Sequence, residues 1–347
     1  MDQNLENKPE HNYKPVSIVK YRPLILGLII GALFMVFAFK SSTLTSVLGN
    51  LADIQLIHYF VGVATYGGYL VLRALRWHLL LADVSKNLPF SVLFRATVWG
   101  TAANSLIPHS GEVLRSFAVR KDLDTTASKV LGTIATERIF DFITVIILTA
   151  SILVTYSENP NVLVSALITL SLMGSVVVVA ALVICARSRY IRAIFNVLSR
   201  VLPRLASEKL LWQFEQLAFG IQQSLKAPKL HFIIGLSFLQ WMAIATCIYT
   251  SMLSVGITPS YWVALIVLPL TIAGLTLPTA PGYLGTIQVA FLIALEGIGF
   301  SEEKVLASSF VYLGTISLPV ITISLIWYIA TLLQNQQNDL NNESTGE

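Results

Sequence analysis

The sequence has few charged residues for its length. Only 12% of its 347 residues are Asp, Glu, Lys or Arg, whereas 55% are hydrophobic, and a soluble domain carries about a quarter charged residues. The apolar residues form blocks long enough to cross about 30 Å of hydrocarbon as helices, without the short alternating segments of a membrane β-barrel. The composition therefore excludes a soluble domain and predicts an all-α, polytopic membrane protein.

The sequence also has few cysteines and histidines and a small net charge. Both cysteines, Cys185 and Cys247, lie in apolar blocks, so no disulfide framework is indicated. The five histidines have no ligand spacing with one another or with cysteine, and we predict neither a metal site nor a cofactor. The net charge of +4 indicates basic cytoplasmic loops and does not point to a nucleic-acid partner.

Seven apolar blocks have the length of a transmembrane helix. They lie at about 23–39, 57–82, 133–156, 161–185, 230–254, 261–278 and 305–333. Two shorter, interrupted apolar stretches lie at about 91–119 and 279–298. We therefore predict seven to eight transmembrane helices and one or two re-entrant hairpins. The first block lacks a signal-peptide cleavage site and is predicted to be a retained anchor.

One domain is predicted, between two polar chain ends. A transmembrane domain at 20–333 lies between a disordered cytoplasmic arm at 1–19 and a disordered tail at 334–347, because neither end has an apolar pattern. The only sizeable cytoplasmic connection, 186–229, has the apolar spacing of amphipathic helices. Two interpretations of it stay open: it lies on the inner leaflet, or it forms an ordinary cytoplasmic helical hairpin. It is also a candidate contact for a protein partner.

The distribution of basic residues predicts the orientation. The connections 83–138 and 186–229 are rich in Lys and Arg, whereas 157–160 and 255–260 contain none. By the positive-inside rule, the basic connections and the N-terminus are cytoplasmic. The stretch 91–119 then begins and ends on the cytoplasmic side, so we predict that it is a re-entrant hairpin.

The first interrupted stretch carries charge next to broken backbone. Pro108 and Gly111 interrupt the apolar run, and Glu112 and Arg115 follow at once, three residues apart and so on one helix face. Irregular, charged backbone at membrane depth is tolerated only where protein buries it or a water-filled cavity borders it. The segment from Asn104 to Arg115 is therefore a candidate substrate-binding site.

Two further charged groups lie in the neighbouring spans. Arg73 and Arg76 lie near the end of the second span, and Glu137, Arg138 and Asp141 lie at the start of the span after the hairpin. An ionised side chain at the bilayer centre costs roughly 2.5–3.5 kcal/mol. We therefore predict that these charges neutralise one another around a shared polar cavity, where arginines suit a phosphate headgroup. Alternatively, the two arginines and the tryptophan after them anchor a helix end, and the other charges form a purely structural ion-pair network.

The second interrupted stretch has the same design as the first. Proline and glycine break an apolar block, and an amide side chain follows: the residues are Pro281, Gly282, Gly285 and Gln288. Paired broken segments in two halves of a membrane chain indicate an inverted repeat with a central site. The halves would be about 57–185 and 230–333. The alternative is that these prolines and glycines are only helix-packing kinks.

Four motifs together resemble the flippase-like transmembrane family, the membrane region of lysylphosphatidylglycerol synthases. They are Arg73-x-x-Arg76-Trp77, Asn104-x-x-x-Pro108-x-x-Gly111-Glu112-x-x-Arg115, Glu137-Arg138-x-x-Asp141 and Pro281-Gly282-x-x-Gly285. The resemblance spans about 20–333. It implies a multi-pass protein of a bacterial or archaeal cell membrane, with re-entrant segments, that moves a lipid or lipid-linked headgroup between leaflets. From the residues themselves, we predict that the motif residues and Gln288 surround this headgroup.

The chain departs from this family in two respects. Ile287-Gln288 stands where the family often has an Arg-Glu pair, which weakens any charge-coupled step at the second hairpin. We also expect no lysylphosphatidylglycerol synthesis, because no segment after Leu333 is long enough for the aminoacyl-transferring domain.

Three functions remain open from the sequence. The first is translocation of an anionic phospholipid or a lipid-linked substrate. The second is an enzyme on a lipid-linked substrate, such as a membrane glycosyltransferase; this is disfavoured because Asp53 and Glu158 stand alone in the first two outer loops, and we predict no catalytic residues. The third is an accessory subunit that recruits a lipid-modifying enzyme through 186–229. The sequence does not fix the oligomeric state.

Overall fold

A computed structural model describes residues 22–40, 44–81, 88–120, 125–155, 174–175, 208–225, 229–276, 280–295 and 298–345. In this part of the chain every regular element is a helix, which confirms the all-α prediction. All but two residues of the predicted span at 161–185 lie outside the described residues. The predicted arm at 1–19 and the first half of the 186–229 connection lie outside them too.

Eleven α-helices have both ends within the described residues. In chain order they are α1 (Arg22–Ala38), α2 (Leu44–Ala52), α3 (Leu56–Leu81), α4 (Phe90–Leu106), α5 (Ser110–Val119), α6 (Ala127–Thr155), α7 (Glu208–Leu225), α8 (Leu230–Ser254), α9 (Tyr261–Thr276), α10 (Thr286–Leu295) and α11 (Glu302–Thr345). A short 3-10 turn, Pro281–Tyr283, precedes α10.

The long apolar helices identify a helical membrane protein. Helix α8 and the Glu302–Gln334 part of α11 are each long and apolar enough to cross a membrane. Helices α2 and α3 meet the same criterion as a pair bent by 85°. Apolar segments of α1, α9 and α10 are shorter. By length and composition, two to three helices of the described part could cross a membrane, and the count of seven to eight stays a prediction.

Helices α3 and α8 form an antiparallel pair at the centre of the fold. The amide of Gln55, just before α3, donates to the Ser254 carbonyl at the end of α8 over 2.8 Å. At the other end, Arg76 donates to the Ser237 hydroxyl over 2.9 Å. Between them the helices approach closely at Gly62, where a Cβ would lie 2.8 Å from the Thr250 hydroxyl. The two helices therefore run in opposite directions over their whole lengths.

The two halves of the chain repeat one order of elements. In the first half a 26-residue helix (α3) precedes a 17-residue helix (α4), a break, a 10-residue helix (α5) and the long α6. In the second half a 25-residue helix (α8) precedes a 16-residue helix (α9), a break, a 10-residue helix (α10) and the long α11. Because α3 and α8 are antiparallel, the order of elements agrees with the predicted inverted repeat.

In each hairpin, the oxygen of a side-chain amide accepts a hydrogen bond from a backbone N–H that has no helical partner at the break. In the first, the Gly111 N–H donates to the Asn104 side-chain oxygen over 2.6 Å. In the second, the Gly285 N–H donates to the Gln288 side-chain oxygen over 2.8 Å. Free N–H groups at the start of a helix need such partners when water is excluded. Asn104 and Gln288 are thus part of the backbone architecture of the two breaks.

Glycine allows the first hairpin to fold back on itself. A Cβ at Gly111 would overlap the Gly100 carbonyl oxygen of α4, so α5 can lie against α4 only because Gly111 has no side chain. The break itself contains a residue in the left-handed region, His109, with φ of 65°. Helices α4 and α5 therefore form the folded hairpin that the sequence predicts at 91–119.

The second half of the 186–229 connection is helical and packs against the bundle. Helix α7 lies on α6 at Gly132 and Gly220, where a Cβ on either would overlap the backbone of the other helix. The Ser224 hydroxyl donates to the Leu80 carbonyl over 3.1 Å. Trp212 and Phe214 remain exposed on the outer face of α7. This part of the connection is bound to the protein and is not a separate surface helix.

The C-terminal segment differs from the prediction. Helix α11 continues to Thr345, whereas the sequence pattern predicts disorder at 334–347. No proline or glycine lies between residues 320 and 345, so no residue there stops the helix, and the Gln and Glu in this segment are good helix formers. Lack of an apolar pattern is therefore a poor guide to disorder here.

Replacing Gly111 with alanine should destabilise the protein. The added methyl group would push α5 away from α4, and overpacking of this kind costs about 1–3 kcal/mol. Thermal unfolding of the detergent-solubilised protein measures the effect. The control is Gly68→Ala, because a Cβ at Gly68 meets no atom within 4 Å. Equal unfolding midpoints for the two variants would contradict the close packing at Gly111.

Candidate functional site

A cavity of about 630 Å³ lies between the two halves of the bundle. We call it the central cavity. Its polar wall includes Arg73, Asn104, Glu112, Arg138 and Asp141. Its aromatic wall consists of Tyr66, Tyr69, Phe142, Trp241, Tyr283 and Tyr312. A concave site with a few convergent polar groups and many apolar or aromatic ones is the usual form of a small-ligand pocket.

One ion pair lies behind the polar wall. Arg115 of α5 donates to both carboxylate oxygens of Glu137 in α6, over 2.8 and 3.3 Å, and each side chain is only 1% exposed. The Arg115 guanidinium stacks 4.0 Å from the Trp77 ring, and the Trp77 indole donates to the Thr133 hydroxyl over 3.0 Å. This bidentate, buried pair locks α5, α6 and α3 together.

A second set of charges links α3, α6 and α8. Arg76 donates to Asp141 over 2.7 Å and, with the same nitrogen, to Ser237 over 2.9 Å. Arg138 pairs with Asp141 at 3.4 Å and with Glu112 at 2.5 Å. Three helices and the first hairpin thus share one continuous network of charged groups.

The network has one more cation than anions. It contains four arginines (Arg73, Arg76, Arg115 and Arg138) and three carboxylates (Glu112, Glu137 and Asp141). Arg76, Arg115 and Arg138 each lie within 4.0 Å of a carboxylate. Arg73 has no carboxylate that close in the described parts of the chain; it donates to the Tyr69 hydroxyl over 3.2 Å. Four cations and three anions leave a surplus of one positive charge, and Arg73 carries it at the cavity wall.

The two breaks meet at the central cavity. A Cβ on Gly282 would lie 3.7 Å from the Ser105 carbonyl oxygen at the end of α4. Tyr283, the next residue, has a left-handed φ of 58°, and its side chain lines the cavity together with that of His109. One residue of each break, His109 and Tyr283, therefore borders the cavity, whereas Ile107 and Leu284 are exposed on the outside of the bundle.

The residues selected from the sequence fall into three places. Those that line the cavity are Arg73, Asn104, Glu112, Arg138 and Asp141. Those that form ion pairs behind it are Arg76, Arg115 and Glu137. Those that form the two breaks are Pro108, Gly111, Pro281, Gly282, Gly285 and Gln288. Arg76 and Trp77 are fully buried, so the alternative that they anchor a helix end at the membrane interface is wrong.

The aromatic wall was not found from the sequence. Tyr66 and Tyr69 lie seven and four residues before Arg73, on the same face of α3, and this spacing could have identified them. Trp241 and Tyr312 lie on α8 and α11, in apolar blocks with no broken backbone or charge beside them. Only the packing of these helices brings them to the cavity.

No metal-binding cluster occurs among the side chains that the structure describes: no three His, Cys, Asp or Glu lie close enough together to hold an ion. The carboxylates of the polar wall instead accept hydrogen bonds from arginines. The site is thus suited to holding a polar or charged ligand inside an apolar bundle.

Fold and site together define a helical membrane protein with a charged cavity between two broken hairpins. The model of the lysylphosphatidylglycerol synthase TM region matches residues 24–324, and the chain belongs to this family. It is therefore a membrane protein of a family connected with lipid metabolism. No curated protein sequence matches the chain significantly.

Removing one partner of the Arg115–Glu137 ion pair should destabilise the protein strongly. Glu137→Leu leaves a buried guanidinium without its partner, which typically costs about 3–5 kcal/mol. The double variant Arg115→Met with Glu137→Leu should be less destabilised than Glu137→Leu alone, because no uncompensated charge remains. Thermal unfolding in detergent measures both, with the exposed Asp53→Asn as the control. A double variant no more stable than the single one would show that this pairing is not what holds the three helices.

Proposed function

We propose that the protein binds the phosphate of a lipid headgroup in the central cavity and carries the headgroup across the bilayer. The observation that carries this proposal is the position of Arg73. Its guanidinium lies at the cavity wall without a carboxylate partner in the described part of the chain, while the other three arginines of the network are paired. A buried cation of this kind is stabilised by an anion, and the planar guanidinium fits the oxygens of a phosphate.

The other charges prepare the site for this anion. The buried pair of Arg115 and Glu137 fixes α5 and α6, so that Glu112 and Arg138 lie at the cavity wall. The Arg138 side chain is paired with Glu112 and Asp141 but is 36% exposed, so a phosphate can reach it as a second contact. Because Arg73 and Asp141 at the cavity wall are buried, their interactions are stronger than they would be in water.

Transport requires the cavity to open to each leaflet in turn. The inverted halves that begin with α3 and α8 support a rocking motion of one half against the other. The acyl chains stay in lipid while the headgroup moves through the cavity. We assign a gating role to the second hairpin, because Tyr283 borders the cavity and no charged residue lies between Pro281 and Leu295.

The charge-neutralising variant of Arg73 tests the proposal. Arg73→Gln removes charge-assisted hydrogen bonds worth about 1.5–3 kcal/mol, so the affinity for short-chain phosphatidate should fall roughly tenfold or more. Arg73→Lys should retain part of it. Calorimetry of the purified protein measures binding, and exposure of an acyl-labelled lipid in reconstituted vesicles measures transport.

The matched control is Arg95→Gln, because Arg95 is an exposed arginine of α4 that does not line the cavity. It should leave binding and transport unchanged. If Arg73→Gln and Arg95→Gln behave alike in both measurements, the cavity does not bind a phosphate through Arg73.

We also propose that the protein is a multi-pass protein of the cell membrane with a cytoplasmic N-terminus. In support, α3 ends and α8 begins on the same side of the bundle, next to the two basic connections. Cys185 and Cys247 are first replaced by serine. A cysteine at Ser260 should then react with a membrane-impermeant maleimide in intact cells, and one at Arg120 should react only after permeabilisation. The opposite pattern would reverse the orientation.

A further inference from the structure

Two ion pairs join the first hairpin to α6, and they differ in geometry and burial. Arg115 and Glu137 form a bidentate pair in which each side chain is 1% exposed. Arg138 donates to only one oxygen of Glu112, and the other oxygen, Oε2, accepts no hydrogen bond from the residues that the structure describes. The Arg138 and Glu112 side chains are 36% and 21% exposed. An accessible pair with one oxygen engaged is weaker than a buried, bidentate one.

The weaker pair lies at the central cavity, whereas the stronger one lies behind it. Glu112 and Arg138 both line the cavity, and Glu112 is near the start of α5, next to the break. Arg115 lies about one turn further along the same helix. A ligand in the cavity can therefore reach the Glu112–Arg138 pair and leave the Arg115–Glu137 pair intact.

Glu112 depends on Arg138 for its ion pair, but the other partner of Arg138 does not. Asp141 pairs with Arg76 at 2.7 Å as well as with Arg138 at 3.4 Å. Within the described parts of the chain, Glu112 has an ion pair with Arg138 alone, and its further contact is a 3.4 Å hydrogen bond from the Asn104 side chain. An anion that binds Arg138 thus competes with Glu112 and leaves Asp141 neutralised.

The charges of the network balance when such an anion is bound. Its four arginines and three carboxylates leave one positive charge, which a phosphate with one negative charge neutralises. Arg73 and Arg138 line the same wall, and the charges of both act on Glu112. With a phosphate between these two arginines, Glu112 can leave Arg138 without creating an uncompensated charge in the network.

We infer that Glu112 is an exchange carboxylate, which competes with the bound phosphate for Arg138. The inference rests on the proposed binding of a phosphate in the central cavity. When the phosphate binds Arg138, Glu112 is displaced, and the tip of the first hairpin (residues 107–112) loses its ion pair with α6. Arg115 and Glu137 hold the rest of α5 in place. When Glu112 returns to Arg138, it displaces the phosphate, and the lipid is released.

Glu112→Gln tests the exchange, because it removes the competing charge and keeps the size of the side chain. The affinity of the full-length purified protein for short-chain phosphatidate, measured by calorimetry, should rise about tenfold, since Arg138 becomes a free charge-assisted donor. Transport in reconstituted vesicles should fall, because the phosphate is no longer displaced. Replacing a residue that only supports the fold would not raise the affinity.

The matched control is Glu208→Gln, because Glu208 is an exposed glutamate of α7 that does not line the cavity. It should change neither binding nor transport. An affinity of Glu112→Gln that equals that of the control, or is lower, would overturn the exchange.

The double variant Glu112→Gln with Arg138→Gln locates the gain in affinity. If Glu112 acts through Arg138, the gain from Glu112→Gln should disappear in the Arg138→Gln background. A gain that persists there would be a general effect of removing a negative charge, and the assignment of Glu112 as a competitor for Arg138 would be wrong.

Hydrogen exchange of the wild-type protein tests the inference without a substitution. Phosphatidate should speed the exchange of the backbone amides at 107–112, because the tip is released. The amides at 113–119, in the part of α5 that the Arg115–Glu137 pair holds, should exchange as before. Slower or unchanged exchange at 107–112 in saturating phosphatidate would contradict the release of the tip.

The two proposals fail in different ways. If wild-type protein binds phosphatidate and Glu112→Gln does not raise the affinity, the phosphate site stands and the exchange is wrong. If neither wild-type nor Glu112→Gln protein binds phosphatidate, the proposed function itself is wrong, and the exchange fails with it.

Discussion

Neutralisation of charge inside an apolar bundle is the constraint on which the structure depends. Seven ionisable groups lie within the bundle, five of them buried, and an unpaired buried charge is expensive. Arg115 and Glu137 meet this constraint with a bidentate pair that is almost completely buried. Their pairing fixes the first hairpin to α6 and places Trp77 of α3 against the guanidinium. The rest of the polar wall is built on this contact.

The backbone solves a related problem at the two breaks. At each break, proline and glycine interrupt the helix, and backbone N–H groups lose their helical partners; lipid cannot accept hydrogen bonds from them. In each hairpin a side-chain amide oxygen accepts a hydrogen bond from one of these N–H groups. The two hairpins share this device but differ in charge: Glu112 and Arg115 follow the first break, whereas an apolar helix follows the second. The first half of the chain therefore supplies the polar wall. The second half supplies Trp241, Tyr283 and Tyr312 of the aromatic wall.

Among the described residues, the arginines of the network divide into those with an ion pair and one without. Arg76 and Arg115 are buried, paired and tied to other helices, so their charges are used within the protein. Arg73 lies on the same helix face as Tyr69 and keeps its charge available to the cavity. A family connected with lipid metabolism and an arginine at the cavity wall without an ion pair among the described residues are consistent with the proposed site for an anionic headgroup. The packing of α7 against α6 adds a rigid support for the helix that carries Glu137, Arg138 and Asp141.

The sequence alone determined the helical membrane class, most helix positions, the two breaks and the charged residues around the first. These are local properties, since hydropathy depends on composition, and proline and glycine act on their own backbone. The predicted span at 230–254 coincides with α8. Only the tertiary structure decided which arginine stays unpaired and which aromatic residues face it. Pairing depends on the register between helices far apart in the chain, and residues such as Trp241 and Ser237 carry no local sign of it.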